Sequence, residues 1–361
     1  MGKFRKIGVL TSGGDAPGMN ASVRAIARRA SEQGLTAVGI EGGYSGLIAN
    51  KIIELTPEKL ENVISRGGTA IYTDRCPEFK TEEGMRKAIE TCRKNEIDAI
   101  IAIGGDGTFR GATDLTNHGI PTIGVTGTID NDITATDYTV GFDTAQNTAM
   151  VMIDRLRDTC SSHSRGCVVE LMGRDCGELA LRVGIASGAD AIVIPEIPFD
   201  EEAALENLKA ARAGGQRAII VCVSEGVTAA DGRPYAEYFN EKVHEVVGIE
   251  SRFIRLAHVQ RGGDPTSRDR ITASAMAAKA IDLLLEGKSN LVVCERDAKI
   301  VAVDINWALA ADRLYKNKLK PGDLDRFTEE EVNAMKALAD QRRSEIRELY
   351  DLGLALSKAM N

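Results

Sequence analysis

Aromatic residues are scarce. Phe, Trp and Tyr together make 4% of 361 residues, with one tryptophan, which excludes a core built on interleaved rings. The 36 glycines point instead to backbone-built loops between strands and helices. Histidine is nearly as rare: the four, His118, His163, His244 and His258, show no zinc-ligand spacing, so no transition-metal centre is expected. The seven cysteines are odd in number, contain no Cys-x-x-Cys pair and read as reduced thiols. No apolar run approaches the ~20 residues of a membrane span. The first residues lead straight into the strand-like segment 7–10 without signal-peptide anatomy, so a cytoplasmic location is expected. Positive charge is also short, 45 Lys+Arg against 53 Asp+Glu for a net −8. That balance argues against nucleic acid and anionic membrane as partners. Small anions must then be held by local cations working against the global field.

What is present is a rhythm. Continuous apolar runs at 7–10, 37–40, 99–103, 122–125, 168–171, 191–194, 218–223 and 291–294 read as strands buried on both faces of a parallel sheet. Between them lie helix-like segments at 20–33, 57–64, 82–95, 143–159, 201–213 and 272–286. The pattern predicts a doubly wound α/β protein, and the length allows two such domains or one large one. A final helix is predicted from Thr328, with Glu331 at the capping-box position and an apolar stripe of Val332, Met335, Ala339, Ile346 and Leu349. Packing or oligomer contact is its expected role.

Two motifs fail on inspection. Gly287-Lys288-Ser289 lacks the first glycine of a Walker A loop, and Gly105-Asp106-Gly107 lacks the last glycine of a dinucleotide fingerprint. Three strand-end clusters remain. Thr11 to Asn20, rich in glycine, precedes a helix and suits phosphate. Gly104 to Thr108 puts Asp106 among glycines, where a carboxylate can meet Mg²⁺. Thr126 to Asp132 places Asp130 and Asp132 two residues apart, as acid/base chemistry needs. Read singly, the first can be a plain βα turn and the third an Asp-rich turn; the three recurring at strand ends weigh against that. A basic set, His163, Arg165, Arg174, Arg252, His258 and Arg261, offers donors for phosphate oxygens, although any one arginine is ordinarily a solvated surface charge.

The motifs TSGGDAPGMN, GGDGT, TGTIDND, MGRDCG and HVQRGG, in this order over roughly residues 5–310, resemble the ATP-dependent bacterial 6-phosphofructokinase family. The resemblance implies two doubly wound α/β domains with the active site in the cleft between them. An ATP-binding domain would take 1–141 plus 260–307. A fructose-6-phosphate domain would take 142–259 plus 308–361, including the C-terminal helical extension. It implies that Gly14, Arg75, Cys76, Gly107 and Thr108 contact ATP and that Asp106 binds Mg²⁺. Asp130 would be the base for the sugar's 1-hydroxyl, with Thr128 and Asp132 beside it, and Arg75 and Arg174 would meet the transferring phosphoryl. Met172, Gly173 and Glu225 would hold the sugar. Arg165, Arg252, His258 and Arg261 would bind fructose 6-phosphate, Arg165 and Arg252 reaching in from a neighbouring subunit of a homotetramer (or homodimer) whose active sites are shared.

In family members that resemble the pyrophosphate-using type, the position of Gly107 is Asp and that of Gly127 is Lys. A carboxylate at 107 would repel an α-phosphate, so glycine at both positions favours ATP. The family's effector site is matched by Arg24, Arg28 and Arg157 but not by Pro57, Gln216 and Ala218, so effector control by ADP or phosphoenolpyruvate is left open. An NAD or lipid kinase would explain Gly104 to Thr108 but neither Thr128 to Asp132 nor His258 to Gly263. A non-catalytic sensor should have lost the base.

Overall fold

The computed structural model describes residues 4–359. Among them are eleven strands: β1 (Lys6–Ser12), β2 (Thr36–Ile40), β3 (Ile52–Glu54), β4 (Ala99–Gly104), β5 (Thr122–Thr126), β6 (Gly166–Leu171), β7 (Ala191–Val193), β8 (Ile219–Ser224), β9 (Ser251–Arg255), β10 (Leu291–Arg296) and β11 (Lys299–Asp304). All eight predicted apolar runs are strands. The three unpredicted ones, β3, β9 and β11, are edge strands.

The chain forms two compact units. The first comprises the residues up to Ile129, Ile133–Thr144 and Arg261–Asp340. Its sheet runs β11-β10-β5-β4-β1-β2-β3, parallel except for the edges β3 and β11. Leu10, Ile100 and Ala102 pack on Leu47, Cys92 and Phe109. Val9, Ile101 and Ile103, of the opposite parity, are equally buried, so both faces are covered and the strands read as unbroken apolar runs. Helices Met19–Glu32 and Ser267–Leu285 pack on each other and on β1, β5 and β10. From β1 the chain goes to β2 on one side and later to β4 on the other. Strand order therefore reverses between β1 and β4, where open α/β sheets take ligands beyond the strands' carboxyl ends.

The second unit comprises Asp130–Asp132, Ala145–Gln260 and the residues from Gln341. Its sheet, β7-β8-β6-β9, is wholly parallel. Val168, Val221 and Val223 pack on Leu205, Leu208 and Phe239.

The division differs from the expected one at Asp130–Asp132, which fall in the second unit, by a few residues at 142–144 and 260, and most at 308–340. Residues 308–340 belong with the first unit, because Ala308 joins the core under β10, and Ala310, Ala311 and Met335 form a small cluster beside Trp307. The C-terminal helix Glu329–Leu356 starts where predicted. Thr328 Oγ1 accepts from the Glu331 amide (3.2 Å), and Glu331 accepts from the Thr328 amide (2.8 Å), a complete capping box. In the second unit its far end lays Gly353 against Ile185 and Ile192, and Asn207 bonds both the Ser357 carbonyl and the Ala359 amide at 2.8 Å.

Candidate active site

In the first unit the three strand-end clusters come into line. Ser12 pairs with Gly104, and Gly104 with Thr126, so the loops after β1, β4 and β5 leave the sheet abreast. A Cβ on Gly104 would lie 2.5 Å from the Ser12 carbonyl oxygen, which is why that position is glycine. The Thr108 hydroxyl donates to the same carbonyl (2.9 Å), and the Tyr44 hydroxyl donates to the Thr108 carbonyl (2.6 Å). Thr108 is buried. Its side chain therefore ties the start of the helix after β4 to the end of β1.

Gly13 is left-handed (φ 89°). Its amide donates to the Asp74 carbonyl (3.3 Å), its carbonyl accepts from the Thr73 hydroxyl (2.8 Å), and the Thr11 hydroxyl donates to the Tyr72 carbonyl (2.7 Å). Segment 71–75 is thereby laid along the glycine loop. Asn20 carries the same segment from below, accepting from the Ala70 amide at 2.6 Å. Arg75 follows, exposed, with no ion pair among the described residues, and Cys76 is half-buried against the core. Arg261 lies over Gly14: a Cβ there would be 2.7 Å from Nη1, which donates to the Asp15 carbonyl (3.2 Å). A residue expected on the sugar phosphate thus sits on the loop expected to hold the nucleotide's phosphates.

Asp106 opens the helix Asp106–Asn117 and is held by Arg110 in a two-pronged pair (3.2 and 2.7 Å). At Gly107 an added Cβ meets nothing within 4 Å. At Gly127 it would meet Met19 Cε at 3.1 Å and Ile103 Cγ2 at 3.2 Å, so that glycine also has a packing reason. Thr128 is fixed through its backbone, its amide donating to Val140 (3.1 Å) and its carbonyl accepting from the Thr139 hydroxyl (2.7 Å).

In the second unit Asp130, Asn131 and Asp132 are all buried. Asn131 is left-handed (φ 49°) and its Nδ2 donates to Glu178 Oε2 (2.9 Å). Arg174 Nη1 stands 3.6 Å from Asp132 Oδ2, while most of the arginine is exposed. The turn after β6 carries two positive-φ residues, Gly173 (138°) and Arg174 (56°). Glu225 Oε1 accepts from both their amides (3.3 and 2.9 Å), and the buried Gln260 accepts from the Met172 amide (3.4 Å). Glu225 therefore shapes the turn that would present Met172, Gly173 and Arg174 to a sugar.

A cavity of about 360 Å³ opens here, lined by Glu170, Met172, Glu225, Arg255 and His258, a size suited to a small polar ligand. Arg255 is ion-paired to Glu170 (2.5 Å), and His258 is exposed. Arg165 and Arg252 share Glu250, the first at 2.9 Å. Behind the turn, burial pushes the Cys176 thiol well up, helped by Glu196 and Glu178, and burial also raises Glu196 against the Gly177 amide that it accepts from.

Glu178, Gln260, Arg255 and Glu250 were not singled out from the sequence. Gln260 lies within the motif HVQRGG, but its bond to Met172, like those of Glu178 to Asn131, Arg255 to Glu170 and Glu250 to Arg165, joins residues distant along the chain. A separate cavity of about 720 Å³ in the first unit is lined by Arg24, Arg28, Pro57, Glu58 and Glu61, two cations facing two carboxylates. In the second unit Arg157 donates to the carbonyls of Ser187 and Gly188.

A sequence profile described as Phosphofructokinase matches residues 6–284. A Lactobacillus johnsonii protein named ATP-dependent 6-phosphofructokinase is 52% identical over 302 residues, 84% of this chain and 93% of that one. A Clostridium botulinum protein of the same name is 47% identical over 316 residues, 88% of this chain and 97% of that one. Among solved structures, Saccharomyces cerevisiae phosphofructokinase matches with TM-score 0.84 and 30% identity over 97% of this chain, which spans half of that chain's length. A pyrophosphate-dependent phosphofructokinase from Marinobacter aquaeolei matches with TM-score 0.74 at 22% identity over 84% of this chain and 83% of that one, a likeness of fold.

Proposed function

The chain belongs to the phosphofructokinase family and is an enzyme that phosphorylates fructose 6-phosphate with ATP in glycolysis, and from that premise we propose how its own residues divide the work. Asp130 takes the proton of the sugar's 1-hydroxyl as that oxygen attacks the γ-phosphorus; the P–O bond to ADP breaks, and fructose 1,6-bisphosphate forms. One observation carries this assignment. Asp130 is a buried carboxylate in a loop braced on both sides, by Asn131 on Glu178 and by Asp132 beside Arg174. A base held in this way loses little reorganisation when the hydroxyl arrives.

Phosphoryl transfer needs positioning and charge stabilisation more than covalent chemistry. Arg75, exposed and without an ion pair among the described residues, and Arg174, anchored only at its inner edge, are the cations we assign to the moving phosphoryl. The Gly14 amide, beside a Gly13 whose own amide is taken by Asp74, and the open space at Gly107 suit the nucleotide's phosphates. For fructose 6-phosphate we assign the cavity at Met172 and His258, with Glu225 setting its turn.

A Mg²⁺ ion fits the donor set. The described residues contain no group of three ligating side chains, but Asp106 supplies one hard oxygen at a helix start, and Mg²⁺ commonly binds through one carboxylate plus substrate phosphates and water. When bound, it would neutralise charge on the β- and γ-phosphates. Asp106 must exchange its Arg110 partner to hold it.

We further propose a homotetramer in which Arg165 and Arg252, side by side on Glu250, serve a neighbouring copy's sugar phosphate. No described helix is long and apolar enough to cross a membrane, in keeping with a proposed cytoplasmic location. The assignment of the base is tested by Asp130→Ser, which is expected to lower kcat by about 10²–10⁴ with little change in either KM. A sharp rise in the fructose 6-phosphate KM at unchanged kcat would make Asp130 a binding residue instead.

A further inference from the structure

We propose that Arg342, on the C-terminal helix, is a positioning residue for the phosphoryl-transfer loop and acts through the buried carboxylate of Glu178. This deepens the reading of Asp130 as base and rests on it.

The helix Glu329–Leu356 lies beyond residues 6–284, the span matched by the family profile. Nothing assigned to the family's motifs therefore reaches it. Yet within the second unit Arg342 meets the loop's own support. Its side chain is only 11% exposed, and Nη2 stands 3.9 Å from Glu178 Oε2. That same oxygen accepts the hydrogen bond from Asn131 Nδ2 at 2.9 Å. Asn131 is the link between Asp130 and Asp132. Its backbone is left-handed, a conformation that asparagine adopts more readily than most residues and that the bond to Glu178 helps hold.

Charge explains why a distant arginine matters. Glu178 is buried, and its neighbourhood is otherwise acidic: Glu196 and Asp132 both act on the adjacent Cys176 with the same sign as Glu178. Among the described residues, two cations stand against it. Arg182 bonds Oε1 at 2.8 Å but is 43% exposed, so solvent screens it. Arg342 is the buried one and faces the oxygen that Asn131 uses. Without it, Glu178 is under-compensated and turns toward Arg182. Oε2 then stops being a fixed acceptor, Asn131 loses its brace, and the Asp130 carboxylate drifts from the reacting hydroxyl. The Arg342–Glu345 pair, one turn along at 3.5 Å, helps hold the guanidinium in place.

The test is a double-mutant cycle on kcat with Arg342→Met, Arg342→Lys, Glu178→Gln and the combination Arg342→Met with Glu178→Gln, alongside Asp130→Ser. Arg342→Met is expected to lower kcat about tenfold with each KM within about threefold, because misplacing a reacting group costs turnover before binding. Lysine, which keeps the charge, should recover most of that loss. In the Glu178→Gln background the methionine change should cost less than about twofold, since the path runs through Glu178. Wild-type kcat in Arg342→Met, multiplicative losses in the double variant, or lysine no better than methionine would each overturn the proposal. If Arg342→Met does not fold, Arg342→Gln, which removes the charge but keeps a polar head, takes its place in the cycle, where the same non-additivity supports the proposal and multiplicative losses overturn it. Wild-type kcat in Asp130→Ser would instead sink the base assignment, whatever Arg342 does.

Discussion

Gly107 offers a test of donor choice in which stability and activity should part company. Replacing it with aspartate introduces a side chain into open space, since an added Cβ meets nothing within 4 Å. The position lies in the first turn of the helix Asp106–Asn117, where a carboxylate suits the helix's positive end and glycine is a poor helix former. Folding should therefore tolerate the change, the variant being about 0–1 kcal/mol more stable, with repulsion from Asp106 limiting the gain. ATP should not tolerate it. A new unit charge about 5 Å from a phosphate charge, at an effective dielectric of about 20, repels by about 3 kcal/mol. That corresponds to roughly a hundredfold in kcat/KM for ATP. Denaturant melts and steady-state kinetics at saturating fructose 6-phosphate measure the two quantities. A kcat/KM for ATP within about threefold of the parent would refute the reasoning, and so would a loss of stability beyond about 1 kcal/mol, because the space would then not be free.

Gly127→Lys should behave oppositely. Met19 and Ile103 crowd the new Cβ, so it should destabilise the fold by about 1–3 kcal/mol whatever it does to donor choice; an unchanged melt would contradict the packing. Asp269 accepts from the amides of Gly141 and Thr144 and from the Thr144 hydroxyl, and burial, partly offset by those bonds and aided by Asp143, raises its carboxyl to about 6. A folded-state value above the unfolded one makes this group's contribution complete below about pH 4 and lost as pH climbs through about 6, on the order of 3 kcal/mol in all. The unfolding free energy of the parent minus that of Asp269→Asn should fall accordingly from pH 4 to 7, and a flat difference would count against it. At the cavity of Arg24 and Arg28, facing Glu58 and Glu61, ADP or phosphoenolpyruvate should shift half-saturation by fructose 6-phosphate less than about twofold, and Pro57→Arg should enlarge the shift. A large shift in the parent would mean that the glutamates do not offset the arginines.

The strands were legible where burial is two-sided. β4 is buried at every position and reads as a plain apolar run, whereas β9, Ser-Arg-Phe-Ile-Arg, alternates with solvent at a sheet edge and carries no such signal. The helix Asp106–Asn117 was hidden because its first turn is the glycine cluster itself. The alignment of Ser12, Gly104 and Thr126 could be anticipated, since all three end parallel strands. The division of labour inside the clusters could not. The Thr108 hydroxyl on Ser12 and the Glu225 oxygen under the 173–174 turn are structural bonds that the motifs do not show. Links such as Asn131–Glu178–Arg342 join residues far apart in the chain through single side chains, and no periodicity encodes them.

The central claim is transfer from ATP to fructose 6-phosphate by the braced Asp130 loop. It meets its most direct test when the purified protein is given fructose 6-phosphate with ATP or with pyrophosphate as the sole donor and product is followed in both. Fructose 1,6-bisphosphate and ADP are expected in equal amounts with ATP, and little turnover with pyrophosphate. Rapid turnover with pyrophosphate and little with ATP would contradict that claim.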